Sequence, residues 1–153
     1  MKVEKQIEEL GLTLPAVHIP IGNYVNVVRS GNLLFVATHS PEYEPGKTIK
    51  GKLGDNLGVA EGNAAAKQAA LCILATLKNA LGDLDRVKRI IKMVGYINCT
   101  IDFIDHPKVL NGASDLFVKL YGENGRHARV GVGASSMPTG IALAIELIVE
   151  VTN

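Results

Sequence analysis

Apolar and polar residues change their spacing several times along the chain, and each change marks an element. Val3, Ile7 and Leu10 lie between charged positions, the spacing of a short amphipathic helix that Gly11 ends. Residues 24–29 and 33–38 are β-rich runs separated by Ser30-Gly31-Asn32, which predicts a hairpin. Residues 41–56 are polar, with glycines at 46, 51 and 54, and read as a long surface loop suited to a lid or an interface contact. The clearest helical stripe follows over 61–81, with Ala66, Ala69, Ala70, Ile73, Leu77 and Leu81 on one side and Gly82 at its end. A turn at 83–86 leads to a strand over 87–100. Asp105-His106-Pro107 then opens a second helix that buries Val109, Ala113, Leu116, Phe117 and Leu120 and stops at Gly122. Strands over 128–134 and 141–151 close the chain. The predicted order is ββαβαββ behind a leading helix and connection over 1–20. No composition break divides it, so an α+β fold in a single domain over 1–153 is expected.

The last two strands carry the most information. From 141 to 151 the odd positions are Ile, Leu, Ile, Leu, Val and Val, a face to pack on helices. The even positions, Ala142, Ala144, Glu146, Ile148 and Glu150, are smaller or more polar. In the preceding strand Ala128, Val130, Val132 and Ala134 read as the apolar face. Arg129, Gly131 and Gly133 on the other face would form a pocket floor with a cation at one end. A guanidinium there suits a carboxylate, which it grips through two parallel hydrogen bonds. The same pattern also suits an Arg paired with a surface Glu and glycines that let the sheet bend.

Composition narrows the function classes. The 153 residues suffice for a self-supporting core. Sixteen Lys and Arg balance fifteen Asp and Glu, so no global charge draws the chain to nucleic acid or to an anionic membrane. Arg86, Lys88, Arg89 and Lys92 form the only dense basic cluster, and they read as a solvated strand edge without aromatics for base stacking. The charged N-terminus lacks the apolar core of a signal peptide, and no apolar run reaches the ~18 residues of a membrane span. Cys72 and Cys99 are far apart, with Cys72 expected as a core thiol, so a cytoplasmic protein with reduced thiols is expected. The histidines at 18, 39, 106 and 127 show no metal-ligand spacing, and no metal or cofactor is expected. Gly131-Val132-Gly133-Ala134-Ser135 precedes a strand, not a helix, which rejects a phosphate loop. Ser135 and Ser136 lack the nucleophile elbow of a serine hydrolase.

Several segments, in order and at compatible spacing, resemble the Rid/YjgF family. They are Gly22-Asn23-Tyr24-Val25, Gly31-Asn32-Leu33-Leu34-Phe35-Val36-Ala37, Gly82-Asp83-Leu84-Asp85-Arg86-Val87, and Ala128-Arg129-Val130 with Pro138 nine residues on. The runs 106–114 and 125–129 look like its subgroup labelled "endoribonuclease L-PSP". The resemblance implies a chorismate-mutase-like fold, a mixed sheet with two main helices on one face, assembled as a homotrimer with a ligand site at each interface. It implies hydrolysis of reactive 2-imino acids to 2-keto acids and ammonia, with Arg129 anchoring the substrate carboxylate and Tyr24 shaping the cleft. Ala37, Thr38 and Gly131 fall at further substrate-side positions.

This sequence departs from the family at three places. The family's acid, fifteen residues after the Arg, is Ala144; its Cys two residues after the Arg is Gly131; its Ser-Gly-Gln stretch is Ala37-Thr38-His39. Glu146, about 7 Å further along the strand, either replaces the acid or serves as a structural partner for a basic group such as Arg129. His39 is either a base near neutral pH or a loop histidine without a catalytic role. His127 is set on the strand face opposite Arg129, at an edge. A small-carboxylate binding module without turnover is the alternative to the enzyme; RNA cleavage or translation inhibition rests on family labels alone.

Overall fold

The odd positions of the last strand decide where the layers meet. The computed structural model describes residues 1–153. In it Leu143, Ile145, Leu147, Val149 and Val151 are all buried on one side of strand β7 (Leu143–Val151), facing the helices. Each such aliphatic contributes about 1.5–3 kcal/mol. β7 lies at the centre of a five-stranded mixed sheet in the order β1-β2-β7-β5-β6, with β1 (Val27–Ser30), β2 (Leu33–His39), β5 (Val87–Asn98) and β6 (Ala128–Ala134). β5 and β6 run parallel, joined by helix α3 (His106–Tyr121); all other pairings are antiparallel.

Helices α2 (Val59–Leu81) and α3 cover the same face, as expected. Ala65, Ala66, Ala69 and Ala70 let α2 sink fully into the core. The two helices approach so closely that a Cβ on Gly112 would collide with the Asn63 carbonyl. The Glu61 carboxylate accepts the Gly58 N–H at the start of α2 (3.0 Å), and Gly82 ends it in a left-handed conformation (φ 79°). Helix α1 (Lys2–Glu9) buries Val3 and Ile7. Its first amides donate to Asp85 (2.7 and 2.8 Å), and these bonds, with the terminal amine, hold that carboxyl down at about 2.

Four expectations are corrected. The first strand begins at Val27, so Tyr24 precedes it in irregular backbone. Residues 41–56 are no free loop. They hold the small hairpin β3 (Glu42–Glu44) and β4 (Lys47–Thr48), then bridge to the sheet through Lys50 to Ile141 and Leu53 to Cys99. Leu53 and Leu57 are buried, and Asn98 donates to the carbonyls of Gly51 and Ile141. The last strand starts at Leu143, after a tight 138–140 turn.

The fourth correction concerns β6, whose faces are inverted. Val130 and Val132 are exposed, each 43%, on the side away from the helices. Gly131 lies under Leu110, which a Cβ would meet at 2.5 Å, and Gly133 lies against Cys99 and His106. The glycines admit helix α3, and Gly131 is packed under Leu110 instead of opening the pocket floor expected beside Arg129.

Candidate functional site

Across the sheet, Glu146 pairs with Val94 and Val94 with Val130, whereas Leu147 pairs with Met93 and Met93 with Arg129. Paired residues point to one face. Glu146 and Ala144 therefore share the helix-free face, and Arg129 points the other way. The two residues expected to share a face are on opposite sides of the sheet. Glu146 instead accepts the Tyr96 hydroxyl (2.7 Å), which raises the Tyr96 phenol.

The expected residues separate into three environments. Tyr24, Thr38 and Ala144 line one cleft of about 320 Å³. His39 is buried beneath α2. Its Nδ1–H donates to the Ala37 carbonyl (2.6 Å), and its Nε2 accepts from the Thr76 hydroxyl (2.7 Å). Burial above all holds it neutral, with a pKa of about 4. The reason is a bulge: Val36 pairs with Leu147 but His39 with Ile145, so the inward phase skips from 36 to 39. His39 is a satisfied core histidine, and Ala37 serves it through its carbonyl. Arg129 lies elsewhere, donating from Nη1 to Asn111 Oδ1 (2.7 Å) and Ser114 Oγ (3.1 Å). His127 is on the same side as Arg129, not the opposite one, and bonds the same Ser114.

The cleft is built by four segments. The connection before β1 supplies His18, Ile21 and Tyr24, and the end of β2 supplies Thr38. The 42–50 segment supplies Glu42, Thr48 and Lys50. The sheet and the turn before β7 supply Tyr96, Ala144, Met137, Pro138 and Thr139. Thr139 adopts φ 54°, rare for a side chain branched at Cβ, and the turn brings it to the cleft wall. From beneath, α2 fixes the Glu42 carbonyl, which accepts from Gln68 Nε2 (2.8 Å) and the Cys72 thiol (3.0 Å). Burial pushes that thiol up to about 11, as expected of a core cysteine.

Lys50 is the one Lys or Arg in the lining, and sequence reasoning missed it. The signal was available: Leu53 and Leu57, flanking Gly54 in a polar stretch, anchor that stretch and aim its neighbours. A second charge, Glu42, lies 3.7 Å from His18 Nδ1, both side chains largely covered. The lining thus offers a cation, an acid–imidazole pair, hydroxyls from Tyr24, Thr38 and Thr48, and an apolar wall of Ile21, Met137 and Pro138. Glu4, Asp83 and Asp85 converge elsewhere, but they bind backbone amides and the terminal amine.

Comparison with known proteins places this geometry. A family model described as "YjgF/chorismate_mutase-like, putative endoribonuclease" matches residues 4–151. Protein TCP17 of Trypanosoma cruzi is 42% identical over 153 residues, 99% of this chain and 96% of that protein. A Shewanella oneidensis crystal structure described as "a putative endoribonuclease" superposes with a TM-score of 0.94 at 37% identity, covering 99% and 100% of the two chains. Escherichia coli TdcF, crystallised with bound serine, shares the fold at a TM-score of 0.63 and 21% identity, covering 92% and 96%.

Proposed function

Because the chain belongs to the YjgF/chorismate mutase-like family, we infer that its cleft binds a small carboxylate-bearing metabolite of amino- or imino-acid size. One observation carries this reading: a single cation, Lys50, stands among hydroxyls in a cavity of about 320 Å³. The ammonium pairs the carboxylate, the hydroxyls of Tyr24, Thr38 and Thr48 meet the polar substituent, and the apolar wall takes the carbon chain. The serine bound by TdcF is of this size and bears a carboxylate. Arg129 points to the other face of the sheet, where it donates to Asn111 and Ser114, so this reading assigns the carboxylate to Lys50.

The His18–Glu42 pair in the wall favours a second step, hydrolysis. A water held by that pair adds to the imine carbon, the C–N bond breaks, and ammonia leaves with the 2-keto acid as product. Ala144, at the family's acid position, has no proton to offer, so the pair takes its place.

The self-association expected of the family has a surface to use. Val28, Phe35, Val130 and Val132 are exposed together on the helix-free face, which continues into the cleft through Tyr96 and Ala144. A homotrimer formed there would have a mass of three times 16.3 kDa by light scattering.

The experiment generates 2-iminopropanoate from an amino acid in situ and follows pyruvate. Acceleration lost in Lys50→Ala and Glu42→Gln supports the hydrolase. Saturable binding without acceleration leaves the binding protein. Acceleration that survives Lys50→Ala but not Arg129→Ala overturns the assignment of the cleft.

A further inference from the structure

Cys99 and His106 form a thiol–imidazole pair that plays no part in the cleft. Cys99 directly follows β5, and His106 is the first residue of α3. The Cys99 Sγ lies 3.7 Å from His106 Nε2, within reach of a sulfur donor. With the ring proton on Nδ1, the thiol donates to Nε2. Nδ1 has no protein partner and is not sealed from solvent, so the ring can pass a proton outward.

Three features set this pair apart from a cysteine that merely fills the core. Phe103 meets the imidazole edge-on, with ring centroids 5.1 Å apart, and fixes its orientation. Asp105, the preceding residue, is engaged by Lys108 (3.6 Å), and no carboxylate is paired with the imidazole. Gly133, on the edge strand β6, is exposed and places no side chain over the pair. A Cβ there would come within 2.6 Å of Sγ and 3.0 Å of Nε2, so any other residue would crowd the pair and close that approach. Cys72 is the opposite case, its thiol donated to a backbone carbonyl and kept protonated by burial. The thiolate, not the thiol, is the nucleophile, and a base within reach generates it where it is needed. Cys99 is only 8% exposed, so a reagent that reaches it must be small.

We propose that Cys99, with His106 as its base, is a modification site for small hydroperoxides. Nε2 takes the thiol proton, and the thiolate sulfur attacks the terminal peroxide oxygen. The S–O bond forms as the O–O bond breaks, and the leaving oxygen takes the proton back from the imidazolium. Cysteine becomes a sulfenic acid, and the hydroperoxide becomes an alcohol, or water where the reagent is hydrogen peroxide. Sulfur gives up the electron pair that the broken O–O bond accepts. The reaction uses no cleft residue and does not depend on what the cleft binds.

The test treats the full chain with hydrogen peroxide in the presence of dimedone, which traps sulfenic acids, and maps the label by mass spectrometry. Label is expected on Cys99 and not on Cys72, and faster on Cys99 in the native chain than in urea. His106→Gln lowers the native rate at Cys99 about tenfold or more, the contribution of a positioned base. Slower labelling of Cys99 in the native wild type than in urea overturns the proposal without recourse to any variant. Equal labelling of Cys72, or a His106→Gln rate equal to that of wild type, overturns it as well.

Discussion

Lowering the pH from 7 to 4 should destabilise this protein through one residue, His39. The imidazole is 1% exposed, and both ring nitrogens are committed as a neutral ring requires: Nδ1–H to Ala37 and Nε2 accepting from Thr76. Burial, with the nearby His18 as a smaller like-charge contribution, depresses its pKa from 6.5 to about 4. The unfolded chain therefore takes up the proton first. Stability is full above pH 6.5 and falls as pH drops, the unfolded state binding more protons throughout that interval. At pH 4 the loss is about 3 kcal/mol, from a shift of two to three pH units at 1.36 kcal/mol each. Urea unfolding of wild type and His39→Gln at pH 7 and pH 4 isolates this residue from other groups that titrate. The variant is less stable at pH 7, and its deficit shrinks by about 3 kcal/mol at pH 4. A deficit that does not change with pH, or an imidazole titrating near its ordinary 6.5 in the native protein by NMR, refutes the buried neutral assignment.

Two further outcomes follow from the packing. Gly112→Ala, by pushing α3 off the Asn63 carbonyl, costs about 1–3 kcal/mol in chemical denaturation, with Asp115→Ala on the exposed side of the same helix as the milder comparison. Cys72, its thiol raised to about 11 and donated to the Glu42 carbonyl, is alkylated at pH 8 far more slowly than a free thiol until urea unfolds the chain; alkylation at an ordinary rate in the native state would remove the thiol from that bond.

Where one face of an element is plainly apolar, the chain announces its fold. The odd positions of β7 and the alanine stripe of α2 placed both helices on one side of the sheet, and Gly82 marked the end of α2. β6 misled because Val130 and Val132 look inward-facing when read alone. The helix above them packs too closely for any side chain, so the glycines turn in and the valines turn out. The same inversion carries Arg129 away from Glu146. His39 misled for another reason: a bulge shifts the alternation by one residue, and no residue type in Ala37-Thr38-His39 announces it. Thr38 and Tyr24 were legible as cleft residues because the family resemblance, not periodicity, pointed to them. Lys50 was not, because its position depends on bridges from Lys50 to Ile141 and Leu53 to Cys99, which join segments far apart in sequence.

The proposed function requires the small carboxylate to be held by Lys50 in the Tyr24–Thr38–Tyr96 cleft and not by Arg129. Calorimetric titration of the full chain with serine and with 2-oxobutanoate tests it in a single comparison of Lys50→Gln and Arg129→Gln. The expected result is saturable binding that Lys50→Gln weakens tenfold or more, about the worth of one charge-assisted contact, while Arg129→Gln binds as wild type does. Binding lost in Arg129→Gln and retained in Lys50→Gln would contradict it.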